Sequence, residues 1–250
     1  MQVEWEITMK CNYGCFYCTN LDKSIYPNLD RETIRNFVKM LGETYPNVEV
    51  FVFGGEPFVH PDIEYIIQCF NELNVPFVIQ TNLSPYSVKV IKGIQQPFTM
   101  QASIHPSEMS IEELYEVMQS SQHNVRRYDI MYSQENALIY YFKVKELAQT
   151  SEVYLTPITD FGDGVSNTIL DKFNQLKNDS KLKNIIQFED EKRLGESRSE
   201  LWANPNFTTK GKTCLYKDKY FLYGPNLQLY NCCYRIKTDG ICPKDKCFLM

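Results

Sequence analysis

The chain has 250 residues, of which 43% are apolar and 23% charged, and its formal net charge is −5. This size and balance indicate a globular fold with one large core, and the acidic charge argues against an extended nucleic-acid footprint. The amino terminus carries charged Glu4 and Glu6 where a signal peptide needs an apolar stretch. No apolar run reaches the ~18 residues of a membrane span, so the sequence predicts a cytosolic protein that does not enter the membrane.

The first 160 residues alternate between strand-like and helix-like segments. Segments rich in β-branched and aromatic residues predict strands at 3–9, 48–53, 75–81, 98–104, 128–132 and 153–158. Apolar periodicity predicts helices over 34–41 and 63–70, and a capping box at Ser110 and Glu113 starts another. A further helix is predicted over 135–149. This order predicts an α/β fold with a parallel sheet, as an incomplete (β/α)6 TIM-like barrel or an open doubly wound sheet.

Both architectures place ligands at the carboxyl ends of the strands. Polar residues collect at those ends, among them Asn82, Ser103 and His105. The pattern changes after residue 160. We divide the chain into a barrel core at 1–160, an irregular and partly helical connector at 161–212, and a small cysteine-rich region at 213–250. The last region contains a hairpin signal, because strand-like segments at 219–223 and 227–230 flank Gly-Pro-Asn.

Nine cysteines are present, an odd number without a secretion signal. In a reducing cytosol such clustered cysteines bind metal or carry out redox chemistry more often than they form disulfides. Cys69 stands alone on a predicted helix, and we interpret it as a packing residue. The other eight form two groups: Cys11, Cys15 and Cys18, then Cys214, Cys232, Cys233, Cys242 and Cys247.

The amino-terminal group has the spacing CxxxCxxC and directly follows the first predicted strand. Thiolates are the usual ligands of iron–sulfur clusters, and three of them hold three irons of a cubane while the fourth iron stays open. A vacant coordination position distinguishes a catalytic metal from a structural one. A zinc site with a fourth ligand from elsewhere, or three buried thiols, are the alternatives.

A second motif, Gly54-Gly55-Glu56-Pro57, follows the second predicted strand. The CxxxCxxC motif follows the first predicted strand and the Gly-Gly-Glu-Pro motif follows the second. Together, in this order, they resemble the signature of the radical S-adenosylmethionine (radical SAM) superfamily. The resemblance implies a 4Fe–4S cluster on Cys11, Cys15 and Cys18 that binds S-adenosylmethionine at its open iron. It also implies that the Gly-Gly-Glu-Pro segment accepts hydrogen bonds from the methionine ammonium; an ordinary turn is the alternative.

The resemblance further implies that Tyr17, the residue before the third cysteine, lies against the adenine. It implies contacts of Asn82 and Ser103 with the ribose or carboxylate, against an alternative role in capping loops. One departure is on the sixth strand. Residues 155–158 read Leu-Thr-Pro-Ile and lack the family's GxIxG-like segment.

The carboxy-terminal cysteines resemble the twitch region, a short form of the SPASM extension in this superfamily. By that resemblance a second, auxiliary 4Fe–4S cluster would be held by Cys214, Cys232, Cys242 and Cys247; the spacing after the hairpin departs from the family pattern, and a zinc knot is the alternative. Neighbouring side chains on a strand point to opposite faces, so Cys232 and Cys233 are not both ligands. Some peptide-epimerising relatives use a free thiol as a hydrogen donor, which makes Cys233 a candidate for that role, against an inert buried thiol.

The resemblance therefore implies an oxidoreductase that forms a 5′-deoxyadenosyl radical and abstracts hydrogen from a peptide or protein residue, in a modification such as epimerisation or cross-linking. Its partners would be S-adenosylmethionine and an electron donor such as flavodoxin or ferredoxin. A small-metabolite substrate and a non-enzymatic iron–sulfur or zinc protein remain the alternatives.

Overall fold

A computed structural model describes residues 1–18, 26–121, 125–148, 150–158, 167–189, 192–193, 196–197, 208–211, 213–214, 219–232 and 241. The first strands and helices are β1 Gln2–Thr8, α1 Arg31–Thr44, β2 Val50–Gly54, α2 Ile63–Glu72, β3 Phe77–Thr81, α3 Pro85–Ile91, β4 Met100–Ile104, α4 Ile111–Ser121 and β5 Val125–Tyr132. They are followed by α5 Ala137–Leu147, β6 Glu152–Pro157, α6 Asn167–Asn178, β7 Lys192–Arg193, β8 Glu196–Ser197, β9 Tyr220–Tyr223 and β10 Leu229–Tyr230. None of the helices described is long and apolar enough to cross a bilayer.

The main sheet has the order β10-β9-β1-β2-β3-β4-β5-β6. Strands β1 to β6 are parallel neighbours in chain order, which confirms the predicted α/β fold with a parallel sheet. The hairpin is also confirmed, because β10 pairs antiparallel with β9. Its position was not predicted: β9 adds to the free edge of β1 in parallel. The carboxy-terminal hairpin therefore extends the barrel sheet.

Helices α1, α3 and α4 begin where local side chains accept hydrogen bonds from backbone N–H groups of the first turn. The predicted capping box starts α4: Ser110 N donates to Glu113 Oε2 at 2.8 Å, and Glu113 N donates to Ser110 Oγ at 3.1 Å. Helix α3 was missed by the sequence reasoning. It has only seven residues, too few for a clear apolar period, but Ser84 caps it and Pro85 occupies its first turn.

The two faces of the sheet differ sharply at β1, because successive side chains of a strand alternate between faces. On one face, Trp5 packs edge-on against Phe37 of α1, with ring centroids 4.9 Å apart. On the other face, Glu6 is 1% exposed and Glu4 accepts a hydrogen bond of 2.6 Å from Tyr220 of β9. The helix-covered face is thus the apolar core, and the inner face carries buried polar groups.

The free edge of β6 is also covered. Leu155 N donates to Gln187 O at 2.8 Å and Glu189 N donates to Leu155 O at 3.0 Å, so residues 187–189 lie alongside this strand. Arg127 of β5 reaches both Asp129, at 2.7 Å, and Glu189, at 2.8 Å. This ion-pair group joins the last strands of the sheet to the chain that follows them.

The bond between Tyr220 and Glu4 fixes the hairpin to β1. Burial raises the pKa of Glu4, whereas the Tyr220 hydroxyl lowers it. In Tyr220→Phe the half-buried carboxylate loses a donor, so we expect the free energy of unfolding to fall by about 1–3 kcal/mol in urea titrations. Tyr86→Phe, at a half-exposed position on α3, is the matched control and should change it by less than about 0.5 kcal/mol. Equal losses in both variants would contradict this role of Tyr220.

Candidate functional site

The cysteine motif lies on the loop that leaves the carboxyl end of β1. Cys11 and Cys18 are exposed there, and Cys15 is partly buried. Cys18 N donates to Cys15 O at 3.1 Å, and Tyr13 N donates to Cys11 Sγ at 3.4 Å. The three thiols therefore lie on one short loop, and hydrogen bonds from its own backbone N–H groups hold that loop in a compact turn.

The Gly-Gly-Glu-Pro turn after β2 is bonded to the start of this cysteine loop. Gly55 N donates to Thr8 O, and Glu56 N donates to Lys10 O, both at 2.8 Å. A Cβ atom at Gly54 would lie 2.2 Å from Thr8 O, and one at Gly55 would lie 2.1 Å from Lys10 O. The glycines are therefore required by the contact between the two loops, in addition to any approach of a ligand.

We expect Gly55→Ala to lower the free energy of unfolding by more than about 2 kcal/mol, because backbone atoms must move to admit the new methyl group. Gly14→Ala is the matched control on the cysteine loop itself, where a Cβ atom would meet no heavy atom within 4 Å. It should cost less than about 0.5 kcal/mol in the same urea titration. If both alanines were tolerated equally, the close contact of the two loops would be refuted.

Glu56 is fully buried and connects the ends of β2 and β3. Its Oε1 accepts hydrogen bonds from Phe58 N at 3.1 Å and Thr81 Oγ1 at 2.9 Å, and its Oε2 accepts one from Asn82 N at 2.7 Å. Burial raises the pKa of Glu56 to about 7 despite these bonds. The carboxyl group thus positions the neighbouring loop, and its predicted contact with a methionine ammonium stays a prediction. Pro57 starts a short buried 3₁₀ turn, Pro57–Val59.

Asn82 lies directly after β3 and contacts the cysteine loop. Its Nδ2 donates to Asn12 Oδ1 at 2.9 Å and lies 3.8 Å from Cys11 Sγ. Asn12 Nδ2 in turn donates to Ser84 Oγ at 2.7 Å. The side chain therefore ties the cysteine loop to the start of α3, which is the loop-supporting alternative considered from the sequence; its contact with a ligand stays a prediction.

Tyr17 is buried at the centre of the site, next to the residue that follows β4. Its hydroxyl lies 2.7 Å from His105 Nδ1, and the two rings are nearly parallel, at 11°. The same Nδ1 lies 3.6 Å from Cys15 Sγ. Burial lowers the pKa of His105 to about 4, so the ring is neutral near pH 7. The sequence placed His105 at the right strand end but contained no signal for its contact with the cysteine loop.

Ser103, on β4, is partly buried and lies in register with Asp129 of β5. Gly14 N reaches across to Glu108 Oε2 at 3.2 Å, a further contact between the cysteine loop and the chain after β4. Residues from the carboxyl ends of β1, β2, β3 and β4 thus meet at one place, as the strand order predicts for a parallel sheet.

The cysteine loop fits a cluster in its donor set and in its surroundings. Burial raises the pKa of Cys15 to about 12 and also raises that of Cys11, so a thiolate at either position needs a cation beside it. Polar hydrogens of Tyr13 and Asn82 already point at the Cys11 sulfur, as they do at cluster ligands. Within the described part of the chain, no three His, Cys, Asp or Glu side chains surround a common metal position.

The carboxy-terminal cysteines are described only in part. Cys214 is partly buried, Cys232 is buried, and an isolated antiparallel bridge joins Thr213 to Ile241. Cys233, Cys242 and Cys247 lie outside the described residues, so their predicted roles stay predictions.

The geometry above can be compared with known families and folds. Residues 5–104 match the model of the Radical SAM superfamily. The match spans about two fifths of the chain and includes both the cysteine motif and the Gly-Gly-Glu-Pro motif. No curated protein sequence matches the chain.

Several solved structures share the fold of this chain at low sequence identity. SuiB of Streptococcus suis, bound to S-adenosylmethionine, is 13% identical with a TM-score of 0.63; the match covers 93% of this chain and 58% of SuiB. A histidine-tagged form of anSMEcpe with bound AdoMet is 16% identical with a TM-score of 0.57, over 94% of this chain and 75% of that one. The chain thus has the fold of these proteins and spans about three fifths of the length of SuiB.

Proposed function

We propose that the chain is a radical SAM enzyme, which cleaves S-adenosylmethionine reductively and uses the 5′-deoxyadenosyl radical to abstract hydrogen from a substrate. The observation that carries the proposal is the cysteine loop held against the Gly-Gly-Glu-Pro turn inside a matching domain. When bound, a 4Fe–4S cluster supplies the electron for this cleavage. Flavodoxin or ferredoxin would deliver that electron, and the reducing cytosol would keep the thiols free.

The residues of the chain would divide the work at this site. Cys11, Cys15 and Cys18 would hold the iron. The backbone carbonyls of Gly54 and Gly55 and the carboxylate of Glu56 would accept hydrogen bonds from the methionine ammonium. Pro57 would fix the exit from the turn. The contacts with S-adenosylmethionine that the family resemblance implies would come from three further side chains. These are Tyr17 on the cysteine loop and Asn82 and Ser103 at the ends of β3 and β4.

We propose a peptide or protein residue as the substrate. One solved structure shows SuiB bound to its precursor peptide SuiA, and another shows anSMEcpe with AdoMet and a Cp18Cys peptide. Because these two proteins have the fold of this chain, their bound peptides support a peptide substrate here, although they do not identify it. A small metabolite is the alternative, and incubation with candidate peptides, followed by mass spectrometry for epimerised or cross-linked products, separates the two.

We further propose that Cys214, Cys232, Cys242 and Cys247 hold an auxiliary 4Fe–4S cluster. The bridge between Thr213 and Ile241 supports the set, because Cys214 and Cys242 are the next residues along the chain. Reconstituted protein should then contain roughly eight irons, and Cys214→Ala roughly four. Four irons in the wild type, or zinc, would contradict the auxiliary cluster.

Cys233 is the proposed hydrogen donor to a substrate radical. Cys233→Ala should still form 5′-deoxyadenosine but no longer yield an epimerised product. A variant that makes the normal product would end this part of the proposal.

The activity itself is tested by anaerobic reconstitution with iron and sulfide, followed by addition of dithionite and S-adenosylmethionine. Release of 5′-deoxyadenosine, measured by chromatography, supports a radical SAM enzyme. A cluster that never cleaves the cofactor would indicate an electron carrier, and bound zinc would indicate a structural site.

A further inference from the structure

We propose that His105 is a positioning residue for the cluster site, and that its Nδ1–H donates a hydrogen bond to the sulfur of Cys15. In this role it raises the reduction potential of the cluster. The inference rests on the proposed function, because it concerns a cluster bound by Cys15.

The geometry places one nitrogen of His105 between two groups of the cysteine loop. Nδ1 lies 3.6 Å from Cys15 Sγ, within the range of hydrogen bonds to sulfur, and 2.7 Å from the Tyr17 hydroxyl. The ring is held between aromatic neighbours: it stacks on Tyr17 with centroids 5.8 Å apart and meets the Tyr13 ring edge-on at 6.0 Å. Packing therefore fixes the direction in which Nδ1 points.

Counting hydrogens identifies the donor between Nδ1 and Cys15. A metal-bound thiolate carries no hydrogen, so a hydrogen bond at this contact takes its proton from the histidine. An unprotonated Nδ1 would instead direct a lone pair at an electron-rich sulfur. With Nδ1 protonated, the Tyr17 oxygen also accepts from it, and the Tyr17 hydrogen is left for another acceptor.

Such acceptors are available beside Tyr17. The side chains of Ser107, Ser133 and Cys15 all interact with the Tyr17 hydroxyl. The two serine oxygens are buried and have no hydrogen-bond partner of ordinary length among the described residues, and Ser133 is 3% exposed. With Nδ1 protonated, the Tyr17 hydroxyl can donate to one of these neighbours, so that Cys15, His105 and Tyr17 form one hydrogen-bonded group.

Hydrogen bonds to ligand sulfurs stabilise the reduced state of an iron–sulfur cluster, because reduction adds negative charge to the sulfurs. Loss of the His105 bond should therefore make the cluster harder to reduce. The variants are His105→Phe, His105→Asn and His105→Gln. The two amide side chains distinguish the ring nitrogens, since the terminal atoms of an asparagine overlap the position of Nδ1 and those of a glutamine overlap the position of Nε2.

The test is a redox titration of the reconstituted proteins, followed by electron paramagnetic resonance, with iron counted in each sample. We expect His105→Phe and His105→Gln to bind iron normally and to favour the reduced cluster about tenfold less, a shift of about −59 mV for one electron. His105→Asn should retain most of the wild-type potential. His60→Asn is the control, because His60 Nδ1 accepts a hydrogen bond from Asp62 N and none of the hydrogen bonds that the structure describes for it joins it to Cys11, Cys15 or Cys18.

The failures of the two proposals are distinguishable. Unchanged potentials in His105→Phe and His105→Gln, with full iron content, would overturn this inference and leave the proposed function standing. If His105→Phe did not assemble a cluster, His105→Gln would test the inference instead, because the same shift of about −59 mV is expected for it. Equal shifts in His105→Asn and His105→Gln would overturn the inference as well, because ring packing, and not the Nδ1–H bond, would then set the potential. A wild-type protein without an iron–sulfur cluster would overturn both proposals.

Discussion

Replacing Cys11, Cys15 and Cys18 together with alanine is expected to remove the catalytic iron and to reduce 5′-deoxyadenosine formation to background. Among the described residues, no cysteine other than these three directly follows one of the strands β1 to β4. Iron in the reconstituted protein should fall by roughly four per chain. The measurements are iron and sulfide counts together with chromatography of the reaction products.

Cys69→Ala is the matched control for this experiment. Cys69 is fully buried on α2, away from the cysteine loop, so its loss should affect stability modestly and leave the iron count unchanged. A triple variant that kept the iron content of the wild type and cleaved S-adenosylmethionine would place the catalytic cluster elsewhere in the chain.

Glu56→Ala is expected to lower the free energy of unfolding by about 3–5 kcal/mol at pH 5, a large share of the stability of an ordinary domain. The substitution leaves three buried donors without their acceptor: Phe58 N, the Thr81 hydroxyl and Asn82 N. It also frees the loop after β3 from the turn after β2. Urea unfolding followed by circular dichroism measures the loss.

The contribution of Glu56 to the free energy of unfolding should decrease as the pH rises. Burial raises the pKa of Glu56 to about 7 from an ordinary value of 4.5, so between these values the folded state binds the proton more tightly than the unfolded state. The contribution of Glu56 to stability is therefore full below pH 4.5 and is lost as pH rises towards 7, by up to about 3 kcal/mol. The cost of Glu56→Ala should accordingly be smaller at pH 8 than at pH 5.

Glu64→Ala removes an exposed carboxylate from α2 and is the control for this pair of measurements. It should change the free energy of unfolding by less than about 0.5 kcal/mol at either pH. An equal effect of Glu56→Ala at pH 5 and pH 8 would contradict a raised pKa, and a loss below about 1 kcal/mol would contradict the structural role of the three bonds.

The parallel sheet could be predicted because its signals are local. Strands β1 to β6 are short apolar or β-branched runs, and helices α1 and α2 carry regular apolar periods. Errors were confined mainly to the ends, as with β5, which begins at Val125 rather than at residue 128. Both sequence motifs lie in the predicted loops at the carboxyl ends of β1 and β2. A motif that directly follows a strand of a parallel sheet must lie at the carboxyl edge of that sheet, so its position could be predicted.

The contacts that assemble the site could not be predicted in the same way, since they join residues far apart in sequence. The pairing of β9 with β1 links positions separated by more than 200 residues. The periodicity of apolar residues carries no information about which edge strand of the sheet β9 will join. Likewise, the bonds of Asn82 to the cysteine loop and of Glu56 to β3 use side chains whose types fit either a ligand or a loop contact. Their partners became evident only from the fold.

The most direct test of the central claim is electron paramagnetic resonance of the reduced, anaerobically reconstituted protein before and after addition of S-adenosylmethionine. A cubane held by three thiolates has one iron open to the amine and carboxylate of this molecule. We therefore predict that part of the cluster signal changes on its addition and that Cys15→Ala lacks this responsive signal. A spectrum that S-adenosylmethionine leaves unchanged, or zinc bound at these sulfurs, would contradict the account.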